Sequence, residues 1–466
     1  MSALWSSREA AAATGGEASG TWTAEGVSID TRTLRPGDLF VALVGENRDG
    51  HGFVAEALAK GAAAAMAVYP VDGADPAKLL IVRDTQIALE ALGGAARART
   101  GAKIAAVTGS VGKTSTKEAL RHALGLQGAT HASEASYNNL WGVPLTLARM
   151  PAPTRYGIFE IGMNHADEIR PLTKQVKPDV AMVTTVEAVH LEHFPSVEAI
   201  AHAKAEIFEG LEPGGVAVIN ADNPYAPLLA AAANKAGARV WTFGEQGGEA
   251  QFISLSLGDS SSDIEADILG EQVRFTYGAP GRHFAQNALG LLLVVKALGA
   301  DVRAAAEALR DVRAVKGRGA RETIAMEGGS FDLLDESYNA NPASMAAALA
   351  VLGVATPGPG GRRIAVLGDM LELGPQAGAM HAGLVPAVVA AGCDLVFASG
   401  PAMSHLWAEL PVSIRGAYAQ SSSDIASLVA ADIRPGDVVM VKGSLGSRMA
   451  LVVDALKARA REAAAG

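Results

Sequence analysis

Short apolar runs recur along the chain, and between them apolar positions return every three to four residues. The runs at 38–44, 79–82, 103–107, 156–161, 180–185 and 216–219 are too short for helices, so they predict strands buried on both faces. Helical periods cover 53–60 and 196–210, and another helix opens at about Lys113. This alternation predicts an α/β fold with mostly parallel sheets and right-handed crossovers. Residues 252–277 break the rhythm, because polar and apolar side chains alternate there as in antiparallel strands. Further strands are expected at 331–334, 364–367, 395–398 and 438–441. A turn-rich stretch at 45–52, the linker-like Lys316-Gly-Arg-Gly-Ala-Arg321 and a surface turn at 357–361 punctuate the order. At 466 residues the chain exceeds what one core supports, and the pattern divides it into 1–100, 101–316 and 317–466.

Charge and cysteine usage narrow the classes. Net charge is −10, from 39 basic and 49 acidic residues, so the basic footprint of a nucleic-acid-binding protein is missing. The single cysteine, Cys393, excludes an internal disulfide and a cysteine zinc cluster, which fits a reducing compartment. The first twenty residues carry no basic region ahead of an apolar run, so no signal peptide is expected. The most apolar later stretch, 288–300, contains Lys296 and is too short to span a bilayer. A soluble cytoplasmic protein without membrane insertion, read as a monomer, is the expectation.

Thr108-Gly-Ser-Val-Gly-Lys-Thr-Ser-Thr116 carries the sharpest chemical signal. It joins a predicted buried strand to a predicted helix. Gly109 and Gly112 permit a tight turn, so that N–H groups across Gly109, Ser110, Val111, Gly112 and Ser115 converge on phosphate oxygens. The helix dipole favours the same anion. Lys113 would reach the β/γ-phosphates of ATP, and Thr114 would offer its hydroxyl to Mg²⁺. The general pattern calls for glycine where this chain has Val107, so the loop has the shorter T-G-x-x-G-K-T form. A turn that merely contains glycine and lysine remains the plain alternative.

That shorter loop resembles the one used by Mur ligases and folylpolyglutamate synthetases, and other segments extend the likeness to the Mur ligase family. Phe159-Glu-Ile-Gly-Met-Asn164, Val189-His-Leu-Glu-His-Phe194 and Ala203-Lys-Ala-Glu-Ile-Phe208 resemble three of its segments. The resemblance implies that Glu160 and His190 face Mg²⁺ and that Lys204 is carbamylated. These roles are chemically coherent. Hard Mg²⁺ prefers oxygen ligands, and a carbamate turns a cationic lysine into an anionic oxygen pair. Taken singly, Glu160 also reads as a surface carboxylate, His190 as structural and Lys204 as a solvated helix lysine.

Tyr137-Asn-Asn-Leu-Trp-Gly-Val-Pro144 resembles a family stretch beside substrate and phosphate, which implies roles for Asn138 and Asn139; Ser136 stands where the pattern has a further Asn. Pro280-Gly-Arg-His-Phe-Ala-Gln-Asn287 resembles the helix start near adenine and implies that His283 and Asn287 face the base. In Lys316-Gly-Arg318, Arg318 resembles a γ-phosphate contact. The run from Leu334 to Met345 resembles the D-alanyl-D-alanine-adding branch, with Asp335 at the ribose and Tyr338 and Asn339 over the nucleotide. Residues 367–374 with His381, and 441–449 with Lys442, Ser444 and Arg448, extend the match toward a cleft between domains. Segments 27–32, 37–43 and 45–51 resemble the UDP-sugar domain of the two later Mur ligases, which implies Thr31, Arg32 and Asn47 as contacts.

The likeness covers about residues 25–450. It implies three α/β domains: a UDP-substrate-binding domain, a central P-loop ATPase-like domain, and a C-terminal Rossmann-like domain that binds the incoming dipeptide and closes on ATP. The implied reaction joins D-alanyl-D-alanine to UDP-N-acetylmuramoyl tripeptide through an acyl phosphate, giving ADP and phosphate. Two alternatives stay open. Another Mur-type carboxylate–amine ligase would be distinguished by a panel of amines, and a P-loop ATPase binding module by ATP turnover without acceptors.

Overall fold

The computed structural model describes residues 3–45, 48–245 and 247–465. The apolar runs form strands in three successive sheets. In the first, Gly26–Ser28, Asp38–Val41, Ala64–Ala67 and Leu79–Ile81 lie side by side in parallel, and Glu17–Ala18 closes one edge in antiparallel fashion. The helix Thr85–Ala98, capped by the Asp84 carboxylate on Ile87 N–H, covers one face with Leu89, Leu92 and Ala96.

Nine strands make the middle sheet. Lys103–Thr108 lies inside it, between Tyr156–Glu160 and Val180–Val183, all parallel. After Lys103–Thr108 the chain first builds one side, with Thr130–Ala132 and Tyr156–Glu160. It then crosses to the other side, with Val180–Val183, Val216–Asn220 and Arg239–Gly244. The C-terminal end of Lys103–Thr108 is therefore the point where strand order reverses, the place where open α/β sheets bind ligands. Helices Lys113–Gly125 and Arg282–Ala297 cover one face, and Gly142–Ala148, Ile169–Val176, Val197–Ala205 and Ala226–Lys235 the other. The alternating stretch forms the expected antiparallel strands Ala250–Leu257, Ser262–Ile268 and Glu271–Tyr277.

The third sheet begins with the hairpin Ala320–Met326 and Gly329–Glu336. Val438–Lys442, Arg363–Gly368, Leu395–Ser399 and Arg415–Ala419 follow in parallel. Residues 316–321 differ from the linker expected of them. Gly317 and Gly319 take left-handed backbone angles, φ +74° and +96°, which fold the turn onto the segment after Gly329–Glu336. Gly319 N–H donates to Asp335 O at 2.9 Å, Tyr338 N–H to Gly317 O at 3.0 Å, and Ala320 already pairs in the sheet. The turn travels with the third unit, so any pivot precedes Gly317.

The two junctions differ in kind. Leu145 and Ala148, from a helix of the middle unit, are fully buried within the first unit's core. Trp5 Nε1–H donates to Ala148 O at 2.8 Å, and the Arg99 guanidinium sits 4.0 Å over the Trp5 ring. Polar contacts mark the junction with the third unit, such as Arg321 Nη1 to Asp259 O at 2.7 Å. Among the described residues no helix is long and apolar enough to cross a membrane.

Candidate active site

The phosphate loop forms at the reversal point, between the strand Lys103–Thr108 and the helix Lys113–Gly125. Gly109 has φ +148°, and a Cβ there would run into Thr184 Oγ1; Gly112 has φ +85°, and a Cβ there would meet Asn287 Nδ2 at 2.5 Å. Both glycines are therefore demanded by conformation and by space. Thr184 Oγ1 donates to Val111 O at 2.5 Å, and Ser110 N–H donates to Thr185 O at 2.8 Å, so the next strand end clamps the loop. Lys113 folds back and donates to Gly109 O at 2.6 Å. Burial lowers its ammonium pKa, with the nearby Arg318 acting in the same direction and Glu160 opposing.

Among the described residues, four oxygens around this loop are buried without a hydrogen-bond partner: the hydroxyls of Thr108, Thr114 and Thr116, and Glu160 Oε2. Buried polar atoms are ordinarily paired. An orphan hydroxyl and an orphan carboxylate oxygen beside a phosphate loop match the donor set of a hard divalent cation such as Mg²⁺. The other Glu160 oxygen accepts from Asn138 Nδ2 at 2.7 Å, which aims the carboxylate.

Lys204 completes the group from the helix Val197–Ala205. It is 2% exposed and, among the described residues, joins no ion pair. Burial, with Lys113 close by, pushes its pKa well below the ordinary lysine value. The same lysines face His190, whose imidazolium is disfavoured chiefly by burial and favoured by Glu372. Glu160, His190, Lys204 and Lys113 are thus brought into one neighbourhood.

On the third unit, Arg318 stacks 4.3 Å from the Tyr338 ring centroid and reaches across to Ser136 Oγ at 3.4 Å. Ser136 is the position where an Asn was anticipated. Asp335 is buried and engaged by its own unit: it accepts from Ser337 Oγ at 2.6 Å, Ser337 N–H at 3.1 Å and Gly317 N–H at 3.2 Å. Its observed role is to fix the turn that carries Arg318. Asn339 O accepts from Lys442 Nζ at 3.0 Å, and Lys442 also pairs with Glu336 at 3.1 Å. His283 stands at the start of Arg282–Ala297, where burial and Lys442 hold its pKa down at about 4. Asn287, one turn on, packs against Gly112 of the loop. His381 accepts from Met370 N–H and bonds Ala377 O, which makes it a loop-holding residue, while Arg448 is exposed.

Thr31 and Arg32 follow the strand Gly26–Ser28 of the first sheet. Arg32 is 80% exposed and pairs with Asp30, and Thr31 O accepts from Lys60 Nζ. Asn139 Oδ1 accepts from Trp141 N–H at 3.2 Å and from Gly142 N–H at 2.9 Å, where the helix Gly142–Ala148 begins. Asn47 lies outside the described residues. One residue escaped sequence reasoning altogether. Lys117 is fully buried and donates to Ser133 O at 2.7 Å and Ala135 O at 2.9 Å, fixing the loop that presents Ser136 and Asn138. The available signal was its place four residues after Lys113, on the same helix face.

Comparison with known proteins gives one family model per sheet. The Mur ligase family, catalytic domain matches residues 23–98, the Mur ligase middle domain 107–295, and the Mur ligase, glutamate ligase domain 322–445. The chain is 34% identical over 453 residues to the UDP-N-acetylmuramoyl-tripeptide–D-alanyl-D-alanine ligase of Rickettsia prowazekii, covering 97% of this chain and 99% of that one. The structure of MurF from Acinetobacter baumannii superposes with a TM-score of 0.84 at 28% identity, over 97% of this chain and 99% of that one. MurF ligase from Thermotoga maritima, in complex with ADP, gives 0.77 at 25% identity, over 94% and 98%.

Proposed function

The chain belongs to the Mur ligase family, and from that premise we propose that it ligates D-alanyl-D-alanine to UDP-N-acetylmuramoyl tripeptide at the expense of ATP. The product would be the UDP-linked pentapeptide precursor of peptidoglycan. The ligase from Rickettsia prowazekii is named for this reaction, and the relative from Thermotoga maritima binds ADP. We assign 1–100 to the UDP-linked substrate, 101–316 to ATP, and 317–466 to the dipeptide and to closure. Because ATP and a nucleotide-linked sugar are its substrates, we place the enzyme in the cytoplasm.

The observation that carries this reading is the juxtaposition of the phosphate loop with the orphaned Thr114 hydroxyl, the orphaned Glu160 oxygen and the buried Lys204, which joins no ion pair among the described residues. In the proposed chemistry the tripeptide carboxylate attacks the γ-phosphorus of ATP, ADP departs, and an acyl phosphate forms. The dipeptide's free amine then attacks the acyl carbon, phosphate leaves with the bonding electrons, and the surplus amine proton passes to the departing phosphate. Lys113 holds the β/γ-phosphates, and Arg318 brings its guanidinium to the transferring group when the third unit docks. Holding three substrates in line lowers the barrier by proximity. Thr114, Glu160 and His190, with Lys204 as a carbamate, would hold Mg²⁺. That cation would neutralise charge on the phosphoryl oxygens. His283, Asn287, Asp335, Tyr338 and Asn339 are assigned to the nucleotide side, and Thr31, Arg32, Asn47, Asn138 and Asn139 to the UDP-substrate side.

The deciding experiment is mass spectrometry after incubation with ATP, Mg²⁺, UDP-muramoyl tripeptides and D-alanyl-D-alanine. A UDP-linked pentapeptide, formed with one ADP per peptide bond, is the expected result. ATP hydrolysis that ignores both acceptors, or a product carrying a different amine, would refute the proposal. Tripeptides ending in diaminopimelate and in lysine, run in parallel, define the preferred substrate.

A further inference from the structure

The ligation scheme leaves the segment 369–374 without a task, yet it meets the middle unit beside His190. His190 Nδ1 and Glu372 Oε2 are 2.5 Å apart, across 182 residues of sequence. Glu192 N–H donates to Glu372 O at 3.2 Å, and a Cβ on Gly374 would touch Leu191 O at 3.3 Å. Both partners are non-glycine residues in the left-handed region, His190 at φ +53° and Glu372 at φ +62°. Such backbone strain persists only where the surroundings impose it, and it gathers at working sites. Stability does not explain the pair. The two side chains are 28% and 47% exposed, and solvent-screened pairs of this kind contribute little to folding.

The chemistry of imidazole supplies an explanation. A carboxylate on Nδ1 fixes the ring and makes that nitrogen the N–H. Nε2 is then left with its lone pair, the form that binds a cation or accepts a proton. We propose that Glu372 is a positioning residue, delivered when the third unit docks, which fixes His190 with Nε2 free and so completes the cation side of the site only in the docked arrangement. Docking and cation binding thereby become a single event. The inference rests on the reading of this site as a divalent-cation site.

The test uses the full chain with ADP and with Mn²⁺ as the probe, its binding followed by electron paramagnetic resonance. Glu372→Ala and Glu372→Gly should weaken Mn²⁺ binding about 10–100-fold, the usual effect of removing a carboxylate that orients a ligating histidine. Glu372→Gln, which keeps an acceptor oxygen, should stay within about threefold of the parent. In ligation assays kcat should fall in the same order while KM for the UDP-substrate stays nearly constant. Glu372→Gly also relieves the left-handed backbone, so its unfolding temperature should not drop, which separates positioning from support of the fold. Mn²⁺ affinity unchanged in the Ala and Gly variants, or a Gln variant as weak as Ala, would overturn the inference. A parent protein that binds Mn²⁺ and shows these differences but forms no peptide bond would sink the ligase reading alone.

Discussion

Replacing Gly109 with alanine tests how the loop backbone builds the phosphate site. At φ +148° Gly109 occupies a region nearly reserved for glycine, and an L side chain there costs about 1–3 kcal/mol. The new Cβ would collide with Thr184 Oγ1 and lie 3.1 Å from Thr184 Cβ. Thr184 is fully buried and its hydroxyl is committed to Val111 O. Moving it aside leaves a buried carbonyl unpaired, a further ~1–3 kcal/mol. The sum, about 2–6 kcal/mol, is met most easily by the loop opening, since the strands beneath it are held on both sides. ADP affinity measured by calorimetry should then fall about 30-fold or more, the equivalent of the lower bound. Removing the colliding hydroxyl with Thr184→Ala in the same chain should recover part of the loss, with a coupling energy of at least about 1 kcal/mol. A Gly109→Ala protein that binds ADP within threefold of the parent would refute this account of the loop.

Three other outcomes are expected. Lys113→Ala should lower ligation by about 10²–10³, as removal of one preorganised charge does, while the melting temperature holds; activity within tenfold of the parent would remove Lys113 from the mechanism. Lys204→Ala should lose activity and regain some of it with bicarbonate or a short carboxylic acid. Lys204→Arg should stay inactive, and a fully active Arg variant would show that only positive charge is needed there. Burial and the nearby Lys442 hold His283 down at about 4 in the folded chain, against the ordinary 6.5 of a free imidazole, so the unfolded chain binds the extra proton first as pH falls. The stability this histidine contributes is complete above pH 6.5 and lost as pH drops through 4; His283→Gln should flatten that part of the denaturation profile, and identical pH slopes would argue against it.

Legibility from sequence followed physical environment. Lys103–Thr108 and Val438–Lys442 were plain because strands buried on both faces need unbroken apolar runs. Ala64–Ala67 has no β-branched residue, and Arg415–Ala419 is a half-exposed edge strand, so neither carries a strong local signal. The phosphate loop could be read because its chemistry is contiguous. Lys117 carries only its place one turn after Lys113, which does not reveal that its ammonium is buried against two carbonyls. The pairing of Glu372 with His190 depends on the docking of two units and has no sequence-local trace. Residues 316–321 misled for a related reason: glycines that suggest freedom were there to meet left-handed angles in a pinned turn.

The helix Gly142–Ala148 also bears on how the protein is made. It supplies Leu145 and Ala148 to a core otherwise built from residues before 100. On the ribosome, the first unit is therefore missing part of its interior when its last helix ends at Ala98. Fifty more residues must emerge before Ala148 arrives, a delay of roughly 3–10 s at ordinary elongation rates. During that interval the Trp5 indole lacks Ala148 O, the acceptor it bonds in the folded protein. The nascent chain therefore shows chaperones an unfinished apolar face just as the phosphate loop is being synthesised, and translation pauses between codons 98 and 148 should lower the yield of folded enzyme more than pauses placed after them.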